Sequence, residues 1–132
     1  MGEPAEDFLR VFRQAVATKD ISLLREVIAE DASFHSPAFY APKEGRDMLL
    51  LVLHSVVEIL EDMNYVKEWV DGQELILEFE ASVDGKKLKG IDRIHLNEDG
   101  QVIRFEVLMR PLNGLMAVAE AMGKKMQQAG AL

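Results

Sequence analysis

The sequence predicts an α+β fold: a curved antiparallel β-sheet forming a cone, covered by three helices from the N-terminal half and followed by a C-terminal helix, all in one domain spanning residues 1–132. Two observations carry this expectation. Apolar residues recur every three to four positions up to about Leu60, and from Tyr65 onward the period changes to two. Asp71-Gly72 and Asp84-Gly85 then fall between alternating runs, where hairpins need positive φ.

Residues 4–18 read as a helix because Phe8, Phe12, Ala15 and Val16 share a face, widened by Leu9 and Val11. Asp20 is the expected N-cap of a short helix carrying Leu23, Leu24, Val27 and Ile28. Glu30-Asp31 leads out of it into a brief strand, Ala32 to Ser36, stopped by Pro37. A loop from Ala38 to Glu44 then reaches Gly45 and a third helix, Asp47 to about Leu60. Tyr65 to Val70, Glu74 to Val83, Lys86 to Leu96 and Gln101 to Met109 follow as an antiparallel meander. Pro111 ends it. The final helix carries Leu115, Val118, Ala119, Met122 and Met126, with Asn113 as a candidate cap.

The composition narrows the function. A net charge of −8, with 15 basic residues scattered among 23 acidic ones, repels phosphate backbones and argues against a nucleic-acid partner. The longest apolar run, Met48 to Leu53, is far short of the roughly 20 residues needed to cross a bilayer, so no membrane association is expected. Without cysteine there is no disulfide frame, thiol nucleophile or thiolate metal site. The start Met1-Gly2-Glu3-Pro4 carries no basic, apolar signal, and a reducing cytoplasm fits best. His35, His54 and His95 match no ligand spacing and are expected to face away from the apolar side, so neither metal nor cofactor is expected.

Asp92 is the residue that demands a chemical account. In Ile91-Asp92-Arg93-Ile94-His95-Leu96, alternation puts Asp92 on the same side as Ile94 and Leu96. A carboxyl there is paired, hydrogen-bonded or protonated, because burying an uncompensated charge is costly. Two readings are open: a general acid or base, or a structural group tied to Arg93, Arg110 or a backbone amide. Parity turns Arg93 to the opposite face.

The order of three pieces carries a resemblance. The helix pair joined by Lys19-Asp20, then Phe34-His35-Ser36-Pro37 leading to Gly45, then Ile91-Asp92-Arg93-Ile94 with Asp99-Gly100-Gln101-Val102-Ile103 resemble the nuclear transport factor 2-like superfamily, especially its ketosteroid isomerase and SnoaL-like branches. The resemblance to ketosteroid isomerase implies that Asp92 falls where that family keeps an aspartic acid protonated at neutral pH, facing the developing enolate. The family's general-base aspartate matches Ser36, and its first-helix tyrosine matches Phe12, so two of three roles are missing and that mechanism is disfavoured. In the SnoaL-like branch the resemblance implies that an inward aspartate acts as the base, a role open to Asp92 with Ser36 positioning the substrate oxygen.

The expected ligand site is a largely apolar wall. Phe12 comes from the first helix, Phe34 from the first strand, Leu75, Leu77 and Phe79 from the next long strand, and Ile94, Phe105, Val107 and Met109 from the last two. Met116 and Met122 are candidate lid residues, or plain core. Arg110 is either an anion clamp at the pocket mouth or a surface cap, and the side taken by Tyr65 and Trp69 is open. Glu74, Glu78, Glu80, Arg93, His95, Arg104 and Glu106, with Ile76, Val102 and Leu108, form an outer face suited to a homodimer or to solvent. The expected function is binding of a small apolar, carbonyl-bearing metabolite, with isomerase- or cyclase-like chemistry through Asp92. The alternative is a non-catalytic dimeric ligand carrier or protein-interaction module of the same fold.

Overall fold

The protein is described by a computed structural model covering residues 4–130. Helix α1 (Pro4–Thr18) begins with proline and places Glu6 and Asp7 in its first turn, where the helix dipole favours negative charge. Ala5, Phe8, Leu9, Phe12 and Ala15 form its buried stripe. The expected short helix is a 3₁₀ helix, Ile21–Val27; Asp20 makes no side-chain cap and instead accepts the Ser22 hydroxyl. Strand β1 (Ile28–His35) therefore starts before Glu30-Asp31, and a two-residue strand β2 (Lys43–Glu44) emerges from the expected loop.

Gly45 sets up helix α2 (Arg46–Ile59), with φ of 103° and its N–H bonded to the Ala32 carbonyl at 2.7 Å. The long strands follow: β3 (Glu61–Asp71), β4 (Glu74–Val83), β5 (Lys86–Leu96) and β6 (Val102–Arg110). Asp84 and Gly85 both have positive φ, 51° and 74°, as a tight hairpin requires. Helix α3 (Leu112–Gln128) has Pro111 at its N-cap position; Asn113, the expected cap, lies inside the first turn and accepts the Gly114 N–H.

The six strands form one curved sheet in the order β2-β1-β6-β5-β4-β3. The meander β3 to β6 is antiparallel as expected, but β1 joins β6 in parallel, so the sheet is mixed. Helices lie on its concave face, and the inward rows of β4, β5 and β6, including Leu75, Leu77, Phe79, Ile94 and Phe105, pack there against the buried sides of the helices to form the core.

Three one-residue irregularities steer side chains. The register of β3 against β4 slips between Tyr65 and Lys67, so an extra residue, Val66, separates them and turns Tyr65 inward and Trp69 outward. Near the start of β3, Asp62 has a φ of 53° and the register slips again. On β6 the slip between Val102 and Arg104 turns Val102 inward, where it is fully buried, and removes it from the outer face.

Candidate active site

A cavity of about 160 Å³ opens between the sheet and the helices. Phe12 and Val16 of α1, Phe34 of β1, Val52 and Val56 of α2, Phe79, Phe105, Val107 and Met109 of the sheet, and Leu115, Val118 and Met122 of α3 line it. Polar side chains are few: Ser36, Lys43, Tyr65 and Asp92.

Asp92 is 4% exposed. On β5 it sits opposite Leu77 of β4 and Val107 of β6, in the middle of the concave face. The Tyr65 hydroxyl donates to Asp92 Oδ2 at 2.7 Å, and among the described residues no other hydrogen-bond partner reaches this carboxyl. The expected partners Arg93, Arg110 and a backbone amide are thus replaced by a phenol from two strands away. Arg93 instead meets Glu74 on the outer face at 3.3 Å.

Burial pushes the Asp92 carboxyl up from 3.8 to about 7, with the Tyr65 hydrogen bond pulling the other way because it favours the charged form. The same burial, and the neighbouring carboxylate, push the Tyr65 phenol well above its usual 10. Tyr65 is therefore a fixed donor at neutral pH, while Asp92 stands close to half-protonated. One oxygen is held by the phenol; the carboxyl itself borders the cavity.

The remaining aromatic side chains hold this pair in place. Tyr65 meets Phe12 and Phe79 edge-on, with centroids 5.7 and 6.0 Å apart, and Phe12 also contacts Phe8 and Phe105. Gly90 is opposite Phe79 and Met109, and its missing side chain leaves room for the Phe79 ring: a Cβ there would collide with the Leu108 carbonyl and lie 2.8 Å from Phe79 Cζ.

The structure brings together Asp92, Ser36, Phe12, Phe34, Phe79, Phe105, Val107 and Met109 around the cavity. Leu75, Leu77 and Ile94 do not line it; they are sealed in the core beyond its wall. Met116 is 61% exposed on the outer side of α3 and is not a lid residue, whereas Met122, further along the helix, does border the cavity. Arg110 lies in a shallow groove with Glu78 and Lys89 on the opposite side of the sheet. Tyr65 and Lys43 join the site without a signal in the sequence: a bulge hides the first, and a strand too short to show a period hides the second. Ser36 accepts the Ala38 N–H at 3.0 Å, which leaves its own proton free to point elsewhere.

Among the described residues no group of three histidine, aspartate or glutamate side chains could hold a metal, and no helix is long and apolar enough to cross a membrane. His54 is paired with Glu58 on the surface of α2, and His35 bonds Ser33.

Known proteins share this architecture. A steroid delta-isomerase from Pseudomonas aeruginosa is 34% identical over 100% of this chain and 98% of its own, with a TM-score of 0.94. An uncharacterised bacterial protein with a cystatin-like fold from Silicibacter pomeroyi is 32% identical, over 93% of this chain and 87% of its own, at a TM-score of 0.89. A de novo designed protein with a curved β-sheet, 15% identical over 91% of this chain and 98% of its own, reaches 0.70 and so shares the fold alone. No curated protein matches in sequence. The SnoaL-like domain family matches residues 8–105, the span that runs from α1 to the inward Phe105 of β6, and the chain belongs to that family, within the fold shared by nuclear transport factor 2-like and ketosteroid isomerase-like proteins.

Proposed function

We propose that the protein binds a hydrophobic, carbonyl-bearing small molecule in this cavity and moves a proton on it through Asp92. The observation that supports this most is a carboxyl buried against an apolar cavity and anchored on one oxygen by Tyr65, with burial pushing it up toward neutrality. As the base form, Asp92 takes the proton α to the carbonyl; the electron pair moves onto the carbonyl oxygen, to which Ser36 can donate, and the proton then returns from Asp92 to carbon. Atoms balance without a cofactor.

The likeness to a steroid delta-isomerase brings that activity into view, but Ser36 and Phe12 stand where the resemblance expects a base and a tyrosine, so the proposed chemistry rests on Asp92 alone. Size also argues for a smaller substrate, since a cavity of ~150 Å³ holds about one benzene ring. The second reading, a carrier or interaction module, draws support from the Asp92–Tyr65 hydrogen bond, which satisfies the buried carboxyl without any ligand.

A homodimer through the outer sheet face belongs to the same proposal. Trp69 with Ile76 and Ile91 with Leu108 supply two apolar pairs on it, and Arg93, opposite Ile76 and paired with Glu74, lies beside them, with Arg104 paired with Glu106 next along β6. A cytoplasmic setting accords with the absence of cysteine.

The test is carbon-detected NMR of the Asp92 carboxyl, assigned with Asp92→Asn, with and without acetophenone as a small aryl ketone. Titration near 7 that moves on ketone addition supports the site, and deuterium uptake at the ketone methyl that depends on Asp92 supports catalysis. Titration near 3.8 with no response to ketone sinks both. A response to ketone without exchange leaves the carrier.

A further inference from the structure

We infer that the cavity takes an amphipathic acid: a ligand with an apolar body, a carbonyl or hydroxyl at Asp92, and an anionic group held by Lys43. This deepens the proposed function and rests on the cavity being a binding site. Lys43 is on the edge strand β2, directly opposite Phe34 of β1, and antiparallel partners project to the same face. Phe34 is buried on the concave side, so Lys43 projects there too; it borders the cavity and is half-buried.

The concave side otherwise neutralises its charges. Glu68, opposite Leu77, is bound by Arg13 of α1, and Asp92 is bound by Tyr65. Lys43 makes no ion pair or side-chain hydrogen bond among the described residues, although acidic groups outnumber basic ones in the chain. A partly desolvated ammonium beside an apolar cavity, with no internal partner, fits an anion brought by the ligand.

The sheet order gives the spacing. From β2 to β5 there are three strand steps, through β1 and β6, about 14 Å at about 4.8 Å per step; the row Lys43–Phe34–Phe105 ends at Ile94, and Asp92 is two residues, about 7 Å, further along β5, so the backbones of Lys43 and Asp92 are about 16 Å apart over the sheet. The lysine side chain covers close to half of that distance, and Phe34, Phe105 and Val107 lie between. The remaining gap suits a short keto acid with one aromatic ring more closely than a neutral polycyclic molecule.

The test compares 4-oxo-4-phenylbutanoate with its uncharged amide by isothermal titration against the wild type and Lys43→Met. The expected result is that the acid binds the wild type roughly tenfold more tightly than the amide, and that Lys43→Met abolishes this preference while amide binding is retained. Equal affinity for acid and amide in the wild type, or a preference unchanged in Lys43→Met, overturns the assignment of Lys43 and leaves the cavity standing. Failure of acid, amide and acetophenone alike to bind the wild type overturns the cavity reading as well. Circular dichroism of Lys43→Met confirms that the comparison is between folded proteins.

Discussion

The Tyr65 hydroxyl reaches Asp92 over an intervening strand: the two residues lie on β3 and β5, with β4 between them, and still meet at 2.7 Å. The phenol spans this gap because Val66 bulges and turns Tyr65 inward, and because Phe79 leans over Gly90 instead of standing in the way. Removing the hydroxyl in Tyr65→Phe takes away the one group that favours the charged carboxyl. Asp92 is then expected to titrate above 7, read by carboxyl NMR, with a loss of about 1–3 kcal/mol in urea unfolding at pH 8.

The raised value also makes stability depend on pH. Unfolded Asp92 loses its proton near 3.8 and folded Asp92 near 7, so between those values the folded state binds the extra proton. The stability contributed by this group is complete below pH 3.8, falls as pH rises toward 7 and is level above it. The gap corresponds to about 4 kcal/mol. Asp92→Asn, being neutral throughout, is expected to unfold at higher urea than the wild type at pH 8, with the advantage vanishing toward pH 4. Parallel unfolding curves for the two proteins across this range would count against a raised carboxyl.

Gly90→Ala tests the packing beneath the pair. The new methyl group meets the Leu108 carbonyl, which belongs to the β5–β6 ladder and cannot swing aside, and the Phe79 ring. A loss of at least about 2 kcal/mol in thermal or urea unfolding is expected. Gly123→Ala, which meets nothing within 4 Å, is the matched control and should stabilise α3 slightly.

The outer face is tested by charge. Leu108 on β6 is 48% exposed and Trp69 on β3 43%, on the same surface with β4 and β5 between them. Sedimentation of the wild type is expected to give twice the chain mass of 14.8 kDa, and Leu108→Lys to give the monomer with its helical signal intact. A wild type that sediments as a monomer removes the dimer from the proposal.

Most of this architecture is legible in the sequence because period and turn chemistry are local. Phe8 and Phe12 mark α1, Asp84-Gly85 marks a hairpin, and alternation around Ile94 places Asp92 inside. What alternation cannot register is an inserted residue. Val66 and the slip before Arg104 each reverse parity, which hides Tyr65 from the site and misplaces Val102 on the outer face. Met116 is 61% exposed, since the helix turns its Leu115–Val118–Met122 side to the cavity. Lys43 is hidden because β2 is only two residues long, and the parallel alignment of β1 with β6 depends on contacts between distant segments, for which a short stretch of sequence holds no sign.

That parallel alignment has a kinetic consequence. Phe34 and Phe105 become neighbours only when the first and last strands meet, whereas β3 to β6 can zip together through successive hairpins. The meander, with Tyr65 and Asp92 already facing each other, is the part of the molecule that can form early. The wall carrying Phe34, Ser36 and Lys43 closes against it only after β6 is in place. On a ribosome, the chain would carry its hydrogen-bonded Tyr65–Asp92 pair before it had a complete chamber around it.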